Sequence, residues 1–218
     1  MKLRIVYDNE AKEGLESDWG FSCLIEAGKR ILFDTGASGE ILSRNMQRLG
    51  IRKEEIEIIV LSHEHWDHIG GLSAVLHQNV AVYVPGSFTK RTKKGIERKA
   101  AEVLEVSGPA DIVPGVHTTG ELGIGIKEQS LVLETKGGEG VVVLTGCAHP
   151  GLENILEAAK VFGELYGAVG GFHGFDKLKR LEELKMIVPC HCTVRKEEIL
   201  RMYSEKAVRC EAGERIKI

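Results

Sequence analysis

Apolar and polar positions along the chain fall into short strand-like runs separated by stretches with helical spacing. Leu3–Tyr7, Phe21–Glu26 and Arg30–Phe33 predict three strands of a meander, with Gly28-Lys29 at the second turn. Glu40–Leu49 spaces Ile41, Leu42, Asn45, Met46 and Leu49 as a helix does, and Gly50 is placed to end it. Ile56–Leu61 is continuously apolar, the pattern of a strand covered on both faces. Gly70–His77 predicts a helix and Val80–Val84 a strand. After a polar, basic stretch from Thr89, Ile96–Val106 predicts a helix, and Asp111–Thr118 short extended pieces. Leu131–Thr135 and Val141–Thr145 predict a second hairpin across Lys136–Gly140. The rest predicts helix Gly151–Phe162, strand Ala168-Val169, helix Lys177–Leu184, strand Met186–Pro189, helix Arg195–Tyr203 and a closing hairpin over Val208–Ile218. Both halves begin with strands and end in βα units. That predicts an α/β chain of mixed sheets with helices on their outer faces. Two such sheets packed face to face would make an αββα sandwich, one domain spanning residues 1–218.

Composition removes whole classes of function. At 43% hydrophobic residues the 218-residue chain has too much apolar content for a disordered protein. With 29 Lys+Arg against 32 Asp+Glu and 6% aromatic residues, it offers neither a phosphate-tracking surface nor stacking platforms, so no nucleic-acid partner is expected. No apolar run is long enough for a membrane helix. The opening Met1-Lys2-Leu3-Arg4-Ile5-Val6 lacks the pattern of a secretory signal. Five cysteines, an odd number without a disulfide-framework spacing, predict reduced thiols and a cytoplasmic protein.

The histidines change the picture. Six of the eight follow directly on apolar strands: His63, His65 and His68 after Ile56–Leu61, His149 after Val141–Thr145, His173 after Val169, and His191 after Met186–Pro189. Loops at strand ends can converge on one point. His77 and His117 lack that context and are read as ordinary surface or core residues. In Ser62-His63-Glu64-His65-Trp66-Asp67-His68, an extended backbone would turn His63, His65 and Asp67 the same way. Four potential ligands in six residues exceed what one ion takes from one short segment, so two adjacent ions are the expected use. In an extended Pro189-Cys190-His191-Cys192 the cysteines would share the face opposite His191, and both are read as packing residues. Cys147 is either a soft metal ligand or a small buried hydrophobe.

His63-Glu64-His65-Trp66-Asp67-His68 with Gly70-Gly71-Leu72 resembles the HxHxDH signature of the metallo-β-lactamase superfamily. Leu32-Phe33-Asp34-Thr35-Gly36 resembles its first motif, whose Asp supports the metal loop. The resemblance implies the αββα sandwich with a dinuclear metal site at one edge. Three further segments are similar to one subgroup, the 7,8-dihydropterin-6-yl-methyl-4-(β-D-ribofuranosyl)aminobenzene 5′-phosphate synthases. They are Thr145-Gly146-Cys147-Ala148-His149-Pro150-Gly151, Gly170-Gly171-Phe172-His173 and Val188-Pro189-Cys190-His191-Cys192-Thr193; Glu128-Gln129-Ser130-Leu131 is also similar, and Trp19-Gly20-Phe21-Ser22 resembles the early loop less closely. Cys147 stands where most hydrolases of the superfamily carry a metal-bridging Asp. Their Gly-His-Thr-Pro-Gly segment is absent, which leaves His149 to serve in its place. His65 stands where flavo-di-iron oxygen reductases carry Glu, which argues against that branch.

The expected ligand sets are His63, His65 and His149 for one divalent ion, and Asp67, His68 and His191 for the other. Zinc suits such donors best, with manganese or iron as alternatives. Asp34 is expected to orient a ligand histidine. Asp67 is expected mainly as a ligand that could also accept a proton, and His173 to touch substrate phosphate or donate a proton. The subgroup resemblance implies C–N bond formation, in which an arylamine ribofuranosyl phosphate displaces diphosphate from a dihydropterin diphosphate. The expected partner is thus a small anionic, phosphate-bearing substrate. The alternatives are a metal-dependent hydrolase of a phosphoester, lactone or thioester, and a non-catalytic metal-binding module. Lys90-Arg91-Thr92-Lys93-Lys94 is read as a solvated basic turn.

Overall fold

The predicted opening meander forms and anchors one of two sheets in the computed structural model, which describes residues 1–218. That sheet contains β1 (Lys2–Tyr7), β2 (Ser22–Ala27), β3 (Lys29–Phe33), β4 (Ile58–Val60), β5 (Ala81–Pro85) and β6 (Glu102–Val106). The second contains β7 (Ala110–Val113), β8 (Val116–Thr118), β9 (Leu131–Glu134), β10 (Val141–Thr145), β11 (Leu165–Gly171) and β12 (Met186–Cys190). The last strand, β13 (Arg215–Lys217), returns to the first sheet antiparallel to β1. Both sheets are mixed: β3 to β6 run parallel, as do β10 to β12, while the remaining pairings are antiparallel.

Strand alternation decides how the layers stack. Leu3, Ile5, Cys23, Ile25, Ile31, Phe33, Ile58 and Val60 of the first sheet meet Val116, Leu131, Leu133, Val142, Leu144, Val169 and Val188 of the second. Their neighbours face outward. Leu24, Leu32, Ile59 and Val82 are covered by α1 (Gly39–Arg48), through Leu42 and Met46, and by a short helix carrying Leu72 and Val75. Val132, Val143, Ala168 and Ile187 are covered by Leu152, Ile155, Leu156, Ala159 and Ile199 from two later helices. The result is an αββα sandwich. Each fully buried aliphatic side chain in it contributes about 1.5–3 kcal/mol.

Several local readings are corrected. Of the helix over Gly70–His77 only α3 (Leu72–Val75) forms, and a second short helix, α2 (Trp66–Ile69), precedes it across Gly70-Gly71. A Cβ on either glycine would collide with the carbonyl oxygen of Ala37 or Thr35, so the loop after β3 presses directly on this joint. The helix over Ile96–Val106 is instead α4 (Lys90–Glu97) followed by β6, because Glu102–Val106 pairs in parallel with β5. Lys90–Lys94 therefore lies in a helix capped by Thr89, not in a turn. Helix α5 spans Leu152–Ala159 and α6 spans Lys196–Met202, but Lys177–Leu184 forms only a 3-10 turn over Leu178–Leu181. The closing hairpin does not form: that segment touches β12 where the Val208 N–H donates to the Ile187 carbonyl, and the β1–β2 connection through Ala212, before reaching β1.

Candidate metal centre

The loops after β3, β4, β10, β11 and β12 open on one rim, and their side chains form two adjoining donor groups. His63, His65 and His149 make one; Asp67, His68, Cys147 and His191 make the other, with ligand atoms inside each group within 4.8 Å of one another. The groups touch: the rings of His63 and His68 lie 4.2 Å apart. Every residue expected as a ligand is thus brought to this rim, and Cys147 joins the second group as a fourth donor. The extended alternation stops at His65, which starts α2, so Asp67 and His68 are delivered by a helical turn. That change of backbone separates the two groups.

The hydrogen bonds around the rim fix the tautomers of the imidazoles. Asp34, fully buried after β3, accepts from the Ser62 backbone N–H at 2.7 Å and from the Ser62 hydroxyl at 2.7 Å. A carboxylate only accepts, so the hydroxyl has spent its proton and takes the Nδ1–H of His63, 2.8 Å away. His68 gives its Nδ1–H to Asp34 at 2.7 Å. The Nε2 atoms of both histidines are thereby left to the site, with that of His68 3.1 Å from Cys147 Sγ. Asp34 thus touches His68 directly and His63 through the Ser62 hydroxyl. At the far side, Asn9 Oδ1 accepts from the Gly20 N–H at 3.2 Å and faces His191 Nδ1 at 3.0 Å, so Nδ1 carries the proton.

This wiring bears on whether the rim fits a cation. His191 Nε2 has no hydrogen-bond partner, yet lies 3.2 Å from Asp67 Oδ2. A lone pair faces a carboxylate oxygen with no proton between them, an arrangement a cation reconciles. His149 Nε2 is likewise buried without a partner. Burial and the neighbouring histidines hold His63 far below the ordinary imidazole range, and burial and His173 lower His149 to about 4. Burial also lowers His191. These rings therefore present lone pairs at neutral pH. His68 is the exception: burial opposes its protonation, but Asp34 outweighs that and raises it. Burial opposes ionisation of Asp67, but positive charge at His191 and His68 more than compensates and lowers it; with His191 neutral, a bound cation would take that place. The donor set of imidazole, carboxylate and thiol fits zinc, and its harder atoms fit manganese or iron.

Besides Asn9, four residues hold roles at the rim that the sequence did not assign to them. Glu128 is fully buried and accepts five hydrogen bonds: from Thr145 Oγ1 and the N–H groups of Gly146, Cys147, Ala148 and His149, at 2.9–3.0 Å. It shapes the loop that carries Cys147 and His149. Asp8, also fully buried, accepts from the His191 N–H at 2.7 Å, and burial raises its carboxyl to about 6. Trp19, half exposed, donates from Nε1 to Asp67 Oδ2 at 2.9 Å and packs edge-on against His191. The fourth is Cys192, expected to pack beside Cys190. His191 adopts a left-handed conformation (φ 45°), which ends the strand alternation. Cys190 stays between the sheets, while Cys192 turns to the rim with its Sγ 3.3 Å from Cys147 Sγ. The Cys147 contact outweighs burial and brings the Cys192 thiol to about 7, helped by His173.

His173 lies outside both donor groups. It is exposed on the rim, its ring 4.9 Å from that of His149. His77 binds the Ile56 carbonyl, and His117 sits between Asp111 and Glu134; neither reaches the rim. Beside His149 opens a cavity of about 600 Å³ lined by Leu122–Ile126, Pro150 and Asn154, with Ile124 fully exposed at its edge. No helix is long and apolar enough to cross a membrane.

The family model described as the metallo-beta-lactamase superfamily matches residues 20–191. The 7,8-dihydropterin-6-methyl-4-(beta-D-ribofuranosyl)-aminobenzene-5′-phosphate synthase of Methanocaldococcus jannaschii is 29% identical over 92% of this chain and 90% of its own length. An N-acyl homoserine lactonase of Bacillus cereus is 27% identical over 70% of this chain and 64% of its own length. A crystal structure of a metal-dependent hydrolase of the beta-lactamase superfamily superposes with a TM-score of 0.83 at 27% identity, covering 100% of this chain and 99% of that one.

Proposed function

The chain belongs to the metallo-beta-lactamase superfamily, and on that footing we propose that it is a dinuclear metal-dependent transferase that joins an arylamine ribofuranosyl phosphate to a dihydropterin diphosphate. The observation carrying the metal reading is the pair of adjoining donor groups at the rim. The substrate class is taken from the M. jannaschii relative, which matches nearly end to end.

His63, His65 and His149 would hold one divalent ion, and Asp67, His68, Cys147 and His191 the other. Bound divalent ions supply positive charge against a leaving diphosphate and can lower the pKa of water. The protein's own part is to hold and orient. Asp34 fixes His63 through Ser62 and holds His68 directly. Trp19 occupies one face of the Asp67 carboxylate and keeps it turned to the rim. The cavity beside His149 gives room for a flat ring system against Leu122, Ile124 and Ile126. His173, exposed beside His149, would meet substrate phosphate or give a proton to the leaving group.

A second reading, hydrolysis of an ester or lactone on the same rim, is favoured by the 27% identical hydrolase structure and the lactonase relative. Elemental analysis of protein purified without a metal-binding tag tests the shared premise. Two equivalents of metal are expected, falling sharply in a His63→Ala/Asp67→Ala double variant; an active metal-free protein would overturn it. Diphosphate release that requires the arylamine supports the transferase, whereas equal hydrolysis without the amine supports the second reading.

A further inference from the structure

We propose that Cys147 and Cys192 form a reversible disulfide that withdraws Cys147 from the second donor group, making the site sensitive to thiol oxidation. The bond stands on the sulfur geometry; its consequence rests on the metal reading above.

Three observations carry it. The two Sγ atoms lie 3.3 Å apart, so bonding at about 2.05 Å needs a closure of only about an ångström. The pair packs against Gly171, where a Cβ would collide with the Gly146 carbonyl oxygen and lie 2.7 Å from Cys192 Sγ and 3.3 Å from Cys147 Cα. Access is graded: Cys192 is half-buried and reachable, whereas Cys147 is buried against His68 Nε2 at 3.1 Å. Cys192 therefore meets an oxidant first and Cys147 resolves it.

The oxidant is a low-molecular-weight disulfide. Cys192 sulfur attacks one of its sulfurs, breaks the external S–S bond and releases one small thiol, which takes the Cys192 proton. Cys147 sulfur then attacks Cys192 sulfur and releases the second small thiol, which takes the Cys147 proton. Two electrons pass from the cysteine pair to the external disulfide. A disulfide sulfur has no thiolate charge to offer a cation, so the group of Asp67, His68 and His191 loses its soft donor.

The test treats zinc-loaded protein with oxidised glutathione, maps peptides by mass spectrometry and follows zinc with a chromogenic chelator. The expected result is a Cys147–Cys192 linked peptide, lighter by two hydrogens, together with zinc release, both reversed by dithiothreitol. Cys192→Ser should keep its zinc under the same treatment, and Cys147→Ser should form no link. A link between the buried Cys190 and Cys210 instead, or only mixed disulfides, overturns the bond. A Cys147–Cys192 link with unchanged zinc overturns the gating. A reduced protein that never takes up zinc, yet forms the link, overturns the metal reading and leaves the bond standing.

Discussion

Glu128→Gln is the most exacting perturbation of the rim. Four donors converge on Oε1 of Glu128 and one, the His149 N–H, on Oε2. Glutamine keeps the shape, and its best placement leaves the amide oxygen with the four donors. Its NH2 then faces the His149 N–H, donor against donor. One hydrogen bond to a charged acceptor, worth about 1.5–3 kcal/mol, is lost, and the other four weaken from charge-assisted to neutral. Easier burial of an uncharged side chain offsets part of this. The net expectation is about 2–4 kcal/mol of destabilisation, or a fall of about 5–15 °C in the melting temperature of a chain this size. Because the loop carries Cys147 and His149, zinc affinity should fall about 10–100-fold as well. Urea unfolding of the metal-free protein and a competitive zinc titration measure the two effects separately. A variant within about 0.5 kcal/mol of wild type, with unchanged zinc affinity, would refute the role assigned to this carboxylate.

Asn9→Leu should leave the fold intact but lower zinc affinity about 10–100-fold, since His191 Nδ1 loses its acceptor; Asn9→Asp, which keeps an oxygen there, should recover most of it, and equal losses in both would count against the orienting role. Gly171→Ala places a methyl against the Gly146 carbonyl oxygen and 2.7 Å from Cys192 Sγ and should destabilise the protein by about 1–3 kcal/mol, while Gly14→Ala, whose Cβ meets nothing, bears only the strain of its positive φ and serves as the comparison in thermal melts. Metal-free protein should lose stability through His149 as the pH falls from the ordinary imidazole value of 6.5 towards 4: in that window the unfolded chain takes up a proton that folded His149 refuses. The stability slope of wild type should therefore exceed that of His149→Asn by less than one proton; identical slopes would exclude a lowered His149.

What the sequence disclosed follows the reach of its signals. His63 to His68 is one contiguous segment behind a continuously apolar strand, so both its place and its chemistry are local. The strand-end rule needed only hydrophobic runs to bring His149 and His191 to the same edge. Asn9 and His191 are 182 positions apart, and Glu128 stands 17 to 21 positions from the donors it holds. Nothing local marks such pairings. Cys192 was misread because strand alternation was carried one residue past its end, where His191 turns left-handed. β6 was misread because Ile96–Val106 has helical spacing throughout, and only the non-local pairing with β5 makes its second half a strand.

The backbone tells the same story through strain. Four non-glycine residues adopt positive φ: Asp34, Ala148, His173 and His191. Each lies just past the end of a strand, on β3, β10, β11 or β12. A left-handed conformation costs a residue with a Cβ about 1–3 kcal/mol and persists only where surrounding bonds over-determine it. Here buried carboxylates do much of that work. Asp34 is itself strained and bound to Ser62 and His68, Glu128 holds Ala148, and Asp8 holds His191. All three carboxylates are fully buried, and only Asp8 has a lysine nearby, with Lys196 Nζ 3.7 Å away. Asp34 is met in part by His68, which it holds above the ordinary imidazole range; the rest of this buried negative charge lies beneath neutral imidazoles and is costly if uncompensated. Further positive charge to lower this cost has an evident place in the donor groups that these carboxylates hold. The carboxylates that hold these strained loops therefore supply a field suited to cations, and His191 belongs to both arguments, strained in its loop and a donor at the rim.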